Sequence, residues 1–225
     1  MLWLVGLRPK YIQLLNDYKN ILEQRNNYLK QILNDKKPEV MLDIWDEQLA
    51  SVCSKIYTFR DLYINKIKEK CEVIHNMITN CGKDSETLKL KYISTGDTEE
   101  KFLENIKKSR KIDIQRGYTS IGTHRDDIII YINHKPANRF ASQGQQRTSV
   151  LSLKLAELQV VTDEIGDKPI LLLDDFMSEL DEKRRTVLLE KIKDNQVIIT
   201  CTDKIDLRNA KNQKNFKIKN GKLIE

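Results

Sequence analysis

The sequence predicts an α/β protein in which a parallel sheet with flanking helices carries an antiparallel helical arm. Two observations predict this fold class. Apolar residues recur at helical spacing over residues 10–33 and 40–79, which indicates two long helices joined by a short break. Between residues 169 and 202, two short apolar runs flank a helical pattern, the order of a strand–helix–strand unit with parallel strands. We therefore divide the chain into a helical arm domain, residues 1–90, and an α/β domain, residues 91–225.

The helical arm begins with a helix over residues 10–33, whose leucines and tyrosines fall on one face. Pro38 suits the opening turn of the next helix, which we place at 40–79. This second helix exceeds the common length of about 8–20 residues. Two long helices joined by so short a connection are expected to pack side by side in opposite directions.

A strand, a helix and a second strand are predicted after the arm. Residues 87–94 alternate between apolar and polar side chains, as a half-buried strand does. Asp97 and Glu100 have the spacing of a capping box and open a helix over 98–110. The isoleucine-rich run that starts at Asp126 predicts a strand followed by a turn.

The remainder of the chain has the strand–helix–strand pattern. The first of its strands is apolar on both faces, which is typical of a buried parallel strand. Near the end of the chain, Asn220-Gly221 between two short alternating runs predicts a hairpin. The helices are placed at 145–162 and 182–194, and the strands at 169–175 and 196–202.

The composition limits the class of protein. The chain has 225 residues, 40% hydrophobic and 32% charged, enough for one or two packed domains. No apolar run approaches the ~20 residues that cross a bilayer, and the apolar start lacks the flanks of a signal peptide, so we expect a cytoplasmic protein. The net charge of +6 suits a nucleic-acid partner. Four cysteines without zinc-ligand spacing are expected to be reduced structural thiols: Cys53, Cys71, Cys81 and Cys201.

A polar turn lies at the mouth of the predicted 145–162 helix. We call it the 142–145 turn; its residues are Ser142, Gln143, Gly144 and Gln145. A helix N-terminus has unpaired N–H groups and about half a positive charge, while a glycine lets a ligand approach the backbone closely. The turn is therefore a candidate phosphate site. The alternative is an ordinary helix N-cap with no ligand.

Two acidic residues, Asp174 and Asp175, end the apolar strand. Open α/β sheets bind ligands at this edge of the sheet. There, one of the two carboxylates can hold Mg²⁺ through water, and the other can orient or deprotonate an attacking water. The alternative is a polar turn that merely ends the strand. Ser178 and Asp181 follow directly and can cap the next helix.

The order of these motifs resembles the nucleotide-binding heads of the ABC ATPase superfamily, which includes the SMC-type repair proteins. The 142–145 turn is similar to the signature loop, Asp174 to the Walker B aspartate and Asp175 to the catalytic acidic position. Ser178 and Asp181 are similar to the D-loop. The resemblance implies that the 142–145 turn acts in trans, on the γ-phosphate bound by another subunit, while Asp174 and Asp175 act in cis.

Longer blocks resemble RecF, a family of bacterial recombination mediators. They are GTHRDD (122–127), FASQGQQRT (140–148), LSLKLAEL (151–158) and LLLDDFMSELDEKRRTVL (171–188). The resemblance implies a protein that binds ATP and Mg²⁺ and forms an ATP-dependent homodimer. It also implies binding to single-stranded or gapped DNA, and action with RecO and RecR to load RecA. Its implied roles are DNA replication, DNA repair and the SOS response.

The chain departs from the RecF pattern because it contains no G-x-x-x-x-G-K-[ST] phosphate-binding loop. We therefore expect a C-terminal fragment or truncated product of a RecF-like protein, inactive by itself. For the complete protein, the resemblance implies a weak DNA-dependent ATPase. Asp175 stands where many ABC proteins have glutamate, and its shorter side chain predicts slow hydrolysis.

DNA contacts are expected in a basic run at the end of the predicted 98–110 helix and just after it. A solvated basic surface is the alternative. The candidate residues are Lys107, Lys108, Arg110, Lys111 and Arg116.

Two other interpretations of the whole chain stay open. One is a non-catalytic interaction module whose helical arm binds partner proteins. Dependence of the chain's function on nucleotide would distinguish the RecF-like interpretation from this one. The other is a different SMC-like head with different partners, although the blocks at 122–127 and 178–185 favour RecF.

Overall fold

The computed structural model describes residues 8–79, 86–174, 180–202 and 213–224. The chain divides into two units, Met1–Ile165 and Gly166–Glu225. The boundary near residue 90 falls inside the first unit, and the division into an arm domain and an α/β domain stays a prediction. In the described ranges, none of the helices combines the length and the apolar character that crossing a membrane requires.

The helical arm has the two long helices that the sequence predicts. At the end of the first helix, Lys36 adopts a left-handed conformation with φ 52°, and its N–H donates to the carbonyl of Ile32 at 3.1 Å. This closes the helix and turns the chain towards Pro38. The elements are α1 (Pro9–Asp35), a short 3-10 helix (Glu39–Met41) and α2 (Leu42–Thr79).

The two arm helices run antiparallel. Near the start of α1, the hydroxyl of Tyr11 accepts a hydrogen bond from Nε of Arg60 at 3.1 Å. Further along α1, Arg25 donates to Asp46, which lies earlier in α2. One face of each helix is buried at helical spacing, as predicted. The buried residues of α1 are Tyr11, Leu14, Tyr18, Arg25, Leu29 and Ile32.

An antiparallel sheet and a helix follow the arm. The middle strand of the sheet is β2 (Asp127–Ile132), and Leu90 of β1 (Leu88–Ile93) lies opposite Ile130 of β2. The elements are β1 (Leu88–Ile93), α3 (Glu99–Arg116), a 3-10 helix (Thr123–Arg125), β2 (Asp127–Ile132) and β3 (Lys135–Pro136).

The ends of α3 differ from the sequence prediction. Its N-cap is Thr98, whose hydroxyl accepts from the N–H of Lys101 at 3.2 Å, so the capping box predicted from Asp97 is wrong by one residue. The helix also continues past residue 110 to Arg116. It ends at Gly117, the first residue that readily takes the left-handed conformation needed there, with φ 70°.

The long helix α2 forms the centre of the first unit. It packs against α1, α3, β1 and α5, and so carries the core from the arm to the later elements. The last helices of this unit are α4 (Ala137–Phe140) and α5 (Gln143–Ile165). Fully or almost fully buried side chains of this core include Leu49, Ile56, Ile64, Phe102, Ile106, Leu151 and Leu155.

The second unit has the predicted strand–helix–strand pattern with parallel strands. β4 and β5 pair in parallel, with Asp174 opposite Thr200. The predicted hairpin is also present, and its turn residues Asn220 and Gly221 have φ 50° and 72°. The elements are β4 (Leu171–Asp174), α6 (Glu182–Ile192), β5 (Val197–Thr200), β6 (Ile218–Lys219) and β7 (Lys222–Leu223).

One face of the β4–β5 pair is open to solvent. Leu172 is 69% exposed and Ile198 52% exposed, and the register places these two residues side by side. The prediction of a strand buried on both faces is therefore wrong for this face. A parallel sheet is buried on both faces only when helices or other elements pack against both faces. The described residues pack against one face of the β4–β5 pair.

Candidate functional site

The 142–145 turn forms the N-terminus of α5. The hydroxyl oxygen of Ser142 accepts from the N–H of Gln145 at 3.2 Å, and Oε1 of Gln145 accepts from the N–H of Ser142 at 2.9 Å. These two bonds form a reciprocal capping box. The carbonyl of Ser142 accepts the first helical bond, from the N–H of Gln146 at 2.9 Å. The turn is therefore a true helix cap. A role in ligand binding must rest on its rigidity and on the hydrogen-bond donors that the cap does not use.

Further bonds hold the turn in place. Within α5, the hydroxyl of Thr148 donates to the carbonyl of Gly144, and that of Ser149 to the carbonyl of Gln145, both at 2.8 Å. From outside the helix, Nε2 of Gln145 donates to Oε1 of Glu86 at 2.8 Å. The backbone of the turn is thus fixed before any ligand arrives, which lowers the entropy cost of binding.

The turn keeps hydrogen-bond donors for an anion. The N–H groups in the first turn of a helix have no intrahelical acceptor. The Ser142 hydroxyl oxygen accepts from the N–H of Gln145. The N–H groups of Gln143 and Gly144 remain as donors for a ligand. Because the Ser142 oxygen serves as the acceptor, its proton is a third donor. Ser142 and Gln143 are exposed, so this donor set fits a phosphate group.

Asp174 lies at the carboxyl end of the parallel strand pair. Its exposed carboxylate accepts from the hydroxyl of Thr200 at 2.5 Å. In the part of the chain that the structure describes, His, Cys, Asp and Glu side chains do not gather in threes as a metal site would require. A site for Mg²⁺ bound to a nucleotide does not need three such side chains, because phosphate oxygens and water supply most ligands of the ion. The oxygen atoms of Asp174 and Thr200 therefore fit Mg²⁺·ATP chemistry.

The acidic pair and the segment after it are described only in part. Asp175 and Ser178 lie outside the described residues. Asp181 is the N-cap of α6: Oδ1 accepts from the N–H of Arg184 at 2.9 Å, and its other oxygen pairs with the guanidinium of Arg184. The capping role that the sequence predicts for Asp181 is confirmed.

The 122–127 block is a polar junction between the arm and β2, which the sequence did not reveal. Asp126 accepts from Nη1 of Arg60 at 2.7 Å and also from the hydroxyl of Tyr92. Arg60 donates to the carbonyl of Thr123 as well, so a single arm residue holds both ends of the block. The acid next to Arg125 in sequence is therefore structural, whereas Arg125 itself is exposed.

His124 contacts the arm through Tyr18, whose hydroxyl is hydrogen-bonded to Nδ1 of the ring. Partial burial of the ring and the nearby Arg125 charge lower the pKa of His124 below its usual value. Burial raises the pKa of Tyr18. Near pH 7 the phenol is thus protonated and the imidazole neutral, so Tyr18 donates and His124 accepts.

We expect Gly122→Ala to lower the free energy of unfolding by about 1–3 kcal/mol, the range for a strained backbone position. Gly122 has φ 142°, and a Cβ there would lie 2.5 Å from the hydroxyl oxygen of Tyr18. Urea unfolding followed by circular dichroism measures the change. Gly117→Ala is the control: Gly117 also has a positive φ, in the milder left-handed helical region (φ 70°), and its nearest neighbour is the flexible Lys30 side chain at 3.4 Å. Equal costs at both positions would refute the clash with Tyr18.

The candidate DNA-contacting residues have different surroundings. Nε of Arg110 donates to the buried Asp46 at 2.6 Å, and Lys107 lies 3.8 Å from Asp43. Lys108 pairs with Glu104 one helical turn away. The two remaining candidates, Lys111 and Arg116, are exposed on α3.

Comparison with known proteins points to one family. The DNA replication and repair protein RecF of Clostridium tetani is 41% identical over 229 aligned positions, which include 97% of this chain and 61% of the relative. RecF of Alkaliphilus oremlandii is 41% identical over 91% of this chain and 57% of its own length. No protein-family model matches the sequence.

Solved structures agree with these relatives. The chain superposes on the recombination mediator RecF–ATP of the RecFOR pathway with a TM-score of 0.79 and 37% identity, covering 89% of this chain and 55% of that one. For the recombination mediator RecF-ATPrS of the same pathway, the TM-score is 0.83 with 33% identity, covering 96% of this chain and 59% of that one. The chain spans about three fifths of the length of the curated relatives it matches. Because this similarity in sequence and backbone extends over almost all of its residues, the chain belongs to the RecF family.

Proposed function

We propose that this chain provides the signature face of a RecF-type ATPase head, in which the 142–145 turn closes over ATP held by a second subunit. The observation that carries the proposal is the preorganised turn with its three remaining donors. The structural relatives RecF-ATP and RecF-ATPrS support it.

In the proposed dimer, the turn acts in trans. Mg²⁺·ATP, when bound, supplies the γ-phosphoryl group that passes to water. Ser142 donates its hydroxyl proton, and Gln143 and Gly144 their N–H groups, to oxygens of that phosphate. Gln145 holds the cap on which these donors depend. The donors stabilise negative charge without moving, because the capping box has already fixed them.

Asp174, at the end of β4, and Asp175, which follows it in sequence, act in cis. Asp174, beside the hydroxyl of Thr200, would hold Mg²⁺, which would neutralise charge on the phosphate oxygens. Asp175 orients or deprotonates the attacking water. Ser178 contributes to the D-loop, and Asp181 fixes that loop by capping α6. The short side chain of Asp175 makes hydrolysis slow, which suits a nucleotide switch better than a fast ATPase.

The cellular role that we propose is that of a cytoplasmic recombination mediator. It binds single-stranded or gapped DNA, acts with RecO and RecR in loading RecA, and so serves DNA replication, DNA repair and the SOS response. The solved relatives are described as parts of the RecFOR pathway, which supports this role. Of the basic candidates, Lys111 and Arg116 are the more suitable for phosphate contacts, because Arg110 is engaged with buried Asp46.

The proposal predicts that the chain associates with an ATP-loaded complete RecF. We expect the fluorescently labelled 225-residue chain to show no saturable binding of ATP and Mg²⁺ by itself, because its sequence has no phosphate-binding loop. With RecF of Clostridium tetani and Mg²⁺·ATP, it should form a complex detectable by sedimentation velocity.

The nucleotide is the control in this experiment. The same mixture with Mg²⁺·ADP lacks the γ-phosphate and should show at least ~10-fold weaker association, the effect of losing one charge-assisted hydrogen bond. Association of equal strength with ATP, with ADP and without nucleotide would instead support a non-catalytic interaction module.

A further inference from the structure

A row of neighbouring polar side chains leads from the interior of the first unit to the 142–145 turn. His75 of α2 is fully buried. Its Nδ1 lies 3.1 Å from the hydroxyl oxygen of Ser152 in α5, and its Nε2 lies 3.5 Å from Oε2 of Glu86. The other oxygen of Glu86 accepts from Nε2 of Gln145 at 2.8 Å. Side chains from α2, the segment before β1, and α5 thus meet behind the turn.

The available hydroxyl proton decides which atom donates in the contact between His75 and Ser152. The Ser152 hydroxyl donates its only proton to the carbonyl of Thr148 at 2.8 Å. Its oxygen must therefore accept from Nδ1–H of His75. The opposite side of the ring then faces the Glu86 carboxylate, whose side chain is only 20% exposed. His75 is held by the helix that it contacts, and Glu86 is held by the hydrogen bond from Gln145, with the His75 ring beside it.

We propose that Glu86, which lies beside the buried ring of His75, is a positioning residue for the 142–145 turn. Glu86 fixes the amide of Gln145, and this amide in turn accepts from the N–H of Ser142. The inference rests on the proposed function, because it assigns Glu86 the task of holding Ser142 and Gln145 ready for a phosphate on another subunit. Glu86 touches no phosphate in this scheme and acts only through Gln145.

A pair of substitutions tests the contact between Glu86 and Gln145. Gln145→Glu preserves the capping box, since glutamate caps at this position as well as glutamine does. It also sets one carboxylate against another across the 2.8 Å contact. Adding Glu86→Gln restores a hydrogen bond with the donor and acceptor exchanged. A defect caused by the contact is thus repaired by the second change, whereas a defect in the cap alone is not.

We expect Gln145→Glu to weaken ATP-dependent association with Clostridium tetani RecF about tenfold, as for the loss of one charge-assisted hydrogen bond. The double variant should return to within about twofold of the parent chain. Gln159→Glu is the matched control, because it makes the same charge change at an exposed position of the same helix and should have no effect. Failure of the double variant to recover, with the parent chain binding normally, would overturn the positioning role.

A second measurement separates this inference from the proposed function. Amide hydrogen exchange of the isolated chain reports the 142–146 backbone without any nucleotide. Exchange should be faster in Gln145→Glu and normal in the double variant. If the parent chain does not associate with ATP-loaded RecF, the proposed function fails, and this exchange pattern still decides whether Glu86 positions the turn. Unchanged exchange in Gln145→Glu would exclude it.

Discussion

Arg25→Met is expected to lower the free energy of unfolding by about 3–5 kcal/mol, the cost of removing one partner from a buried ion network. Arg25 is completely buried, as are its two acidic partners, Asp46 and Asp113. Methionine fills a similar volume and can still pack in the same space. The two carboxylates, however, would lose the guanidinium between them while remaining out of reach of water.

The contacts of Arg25 explain why the effect is large. Its Nε donates to Asp46 at 2.8 Å, and its Nη1 donates to Asp113 and to the hydroxyl of Thr119, each at 2.8 Å. These bonds connect α1 with α2, with α3 and with the segment after α3. The substitution therefore weakens contacts among four segments at once. Arg110 also donates to Asp46, so Asp113 would lose the larger part of its neutralising charge.

Urea unfolding of the variant and the parent chain measures the change. Arg139→Met is the control, since it makes the same substitution at an exposed arginine of α4 and should change stability by less than about 0.5 kcal/mol. A loss below about 1 kcal/mol for Arg25→Met would contradict this prediction, because it would mean that Asp46 and Asp113 are not left as uncompensated buried charges.

Ser142→Arg is expected to abolish ATP-driven association while leaving the fold intact. The serine hydroxyl both caps α5 and supplies a donor to the proposed phosphate. Arginine lacks the acceptor oxygen for the cap and places a long side chain where a phosphate on the second subunit must approach. We expect affinity for ATP-loaded Clostridium tetani RecF to fall by at least ~100-fold, as for the loss of two charge-assisted hydrogen bonds.

Two further variants separate the possible causes. Ser142→Thr keeps the hydroxyl and should keep most of the association. Ser142→Ala removes the cap at a cost of about 1 kcal/mol in stability but adds no bulk, so its association should be intermediate. Nucleotide binding by the complete RecF partner serves as the internal control, because that partner is unaltered. Association of Ser142→Arg at the parent level would exclude the trans role of the turn.

Regular elements were predictable because they follow from local rules. The helical spacing of apolar residues predicted α1 and α2, and Asn220-Gly221 predicted the last hairpin. The cap of α3 was missed because Thr98 and Asp97 are both good capping residues, and the choice between them depends on backbone geometry. The open face of β4 was missed because an apolar sequence shows that burial is favourable, but not that a covering element is present.

The site could be predicted only in its local part. The sequence placed Ser142 and Gln145 three positions apart at a helix start, and the structure shows them there with reciprocal capping bonds, while their contact with a phosphate stays a prediction. Glu86 and His75 were missed, because they are distant from the turn in sequence and meet it only through tertiary packing. Arg25 was missed for another reason: a charged residue is normally assigned to solvent. Its place on the buried face, seven residues after Tyr18 and four before Leu29, was the available signal.

The length of α2 has a mechanical consequence. Asp46, near its start, belongs to the Arg25 network, Arg60 holds the 122–127 block, and His75 stands behind Glu86. From Asp46 to His75 the helix rises about 43 Å at 1.5 Å per residue. A continuous helix resists stretching over this distance, so it behaves as a stiff rod. Force applied to the arm near Asp46 would therefore shift or rotate α2 as a whole. This movement would reach His75, and so Glu86 and the 142–145 turn, without any unfolding of the helix between them.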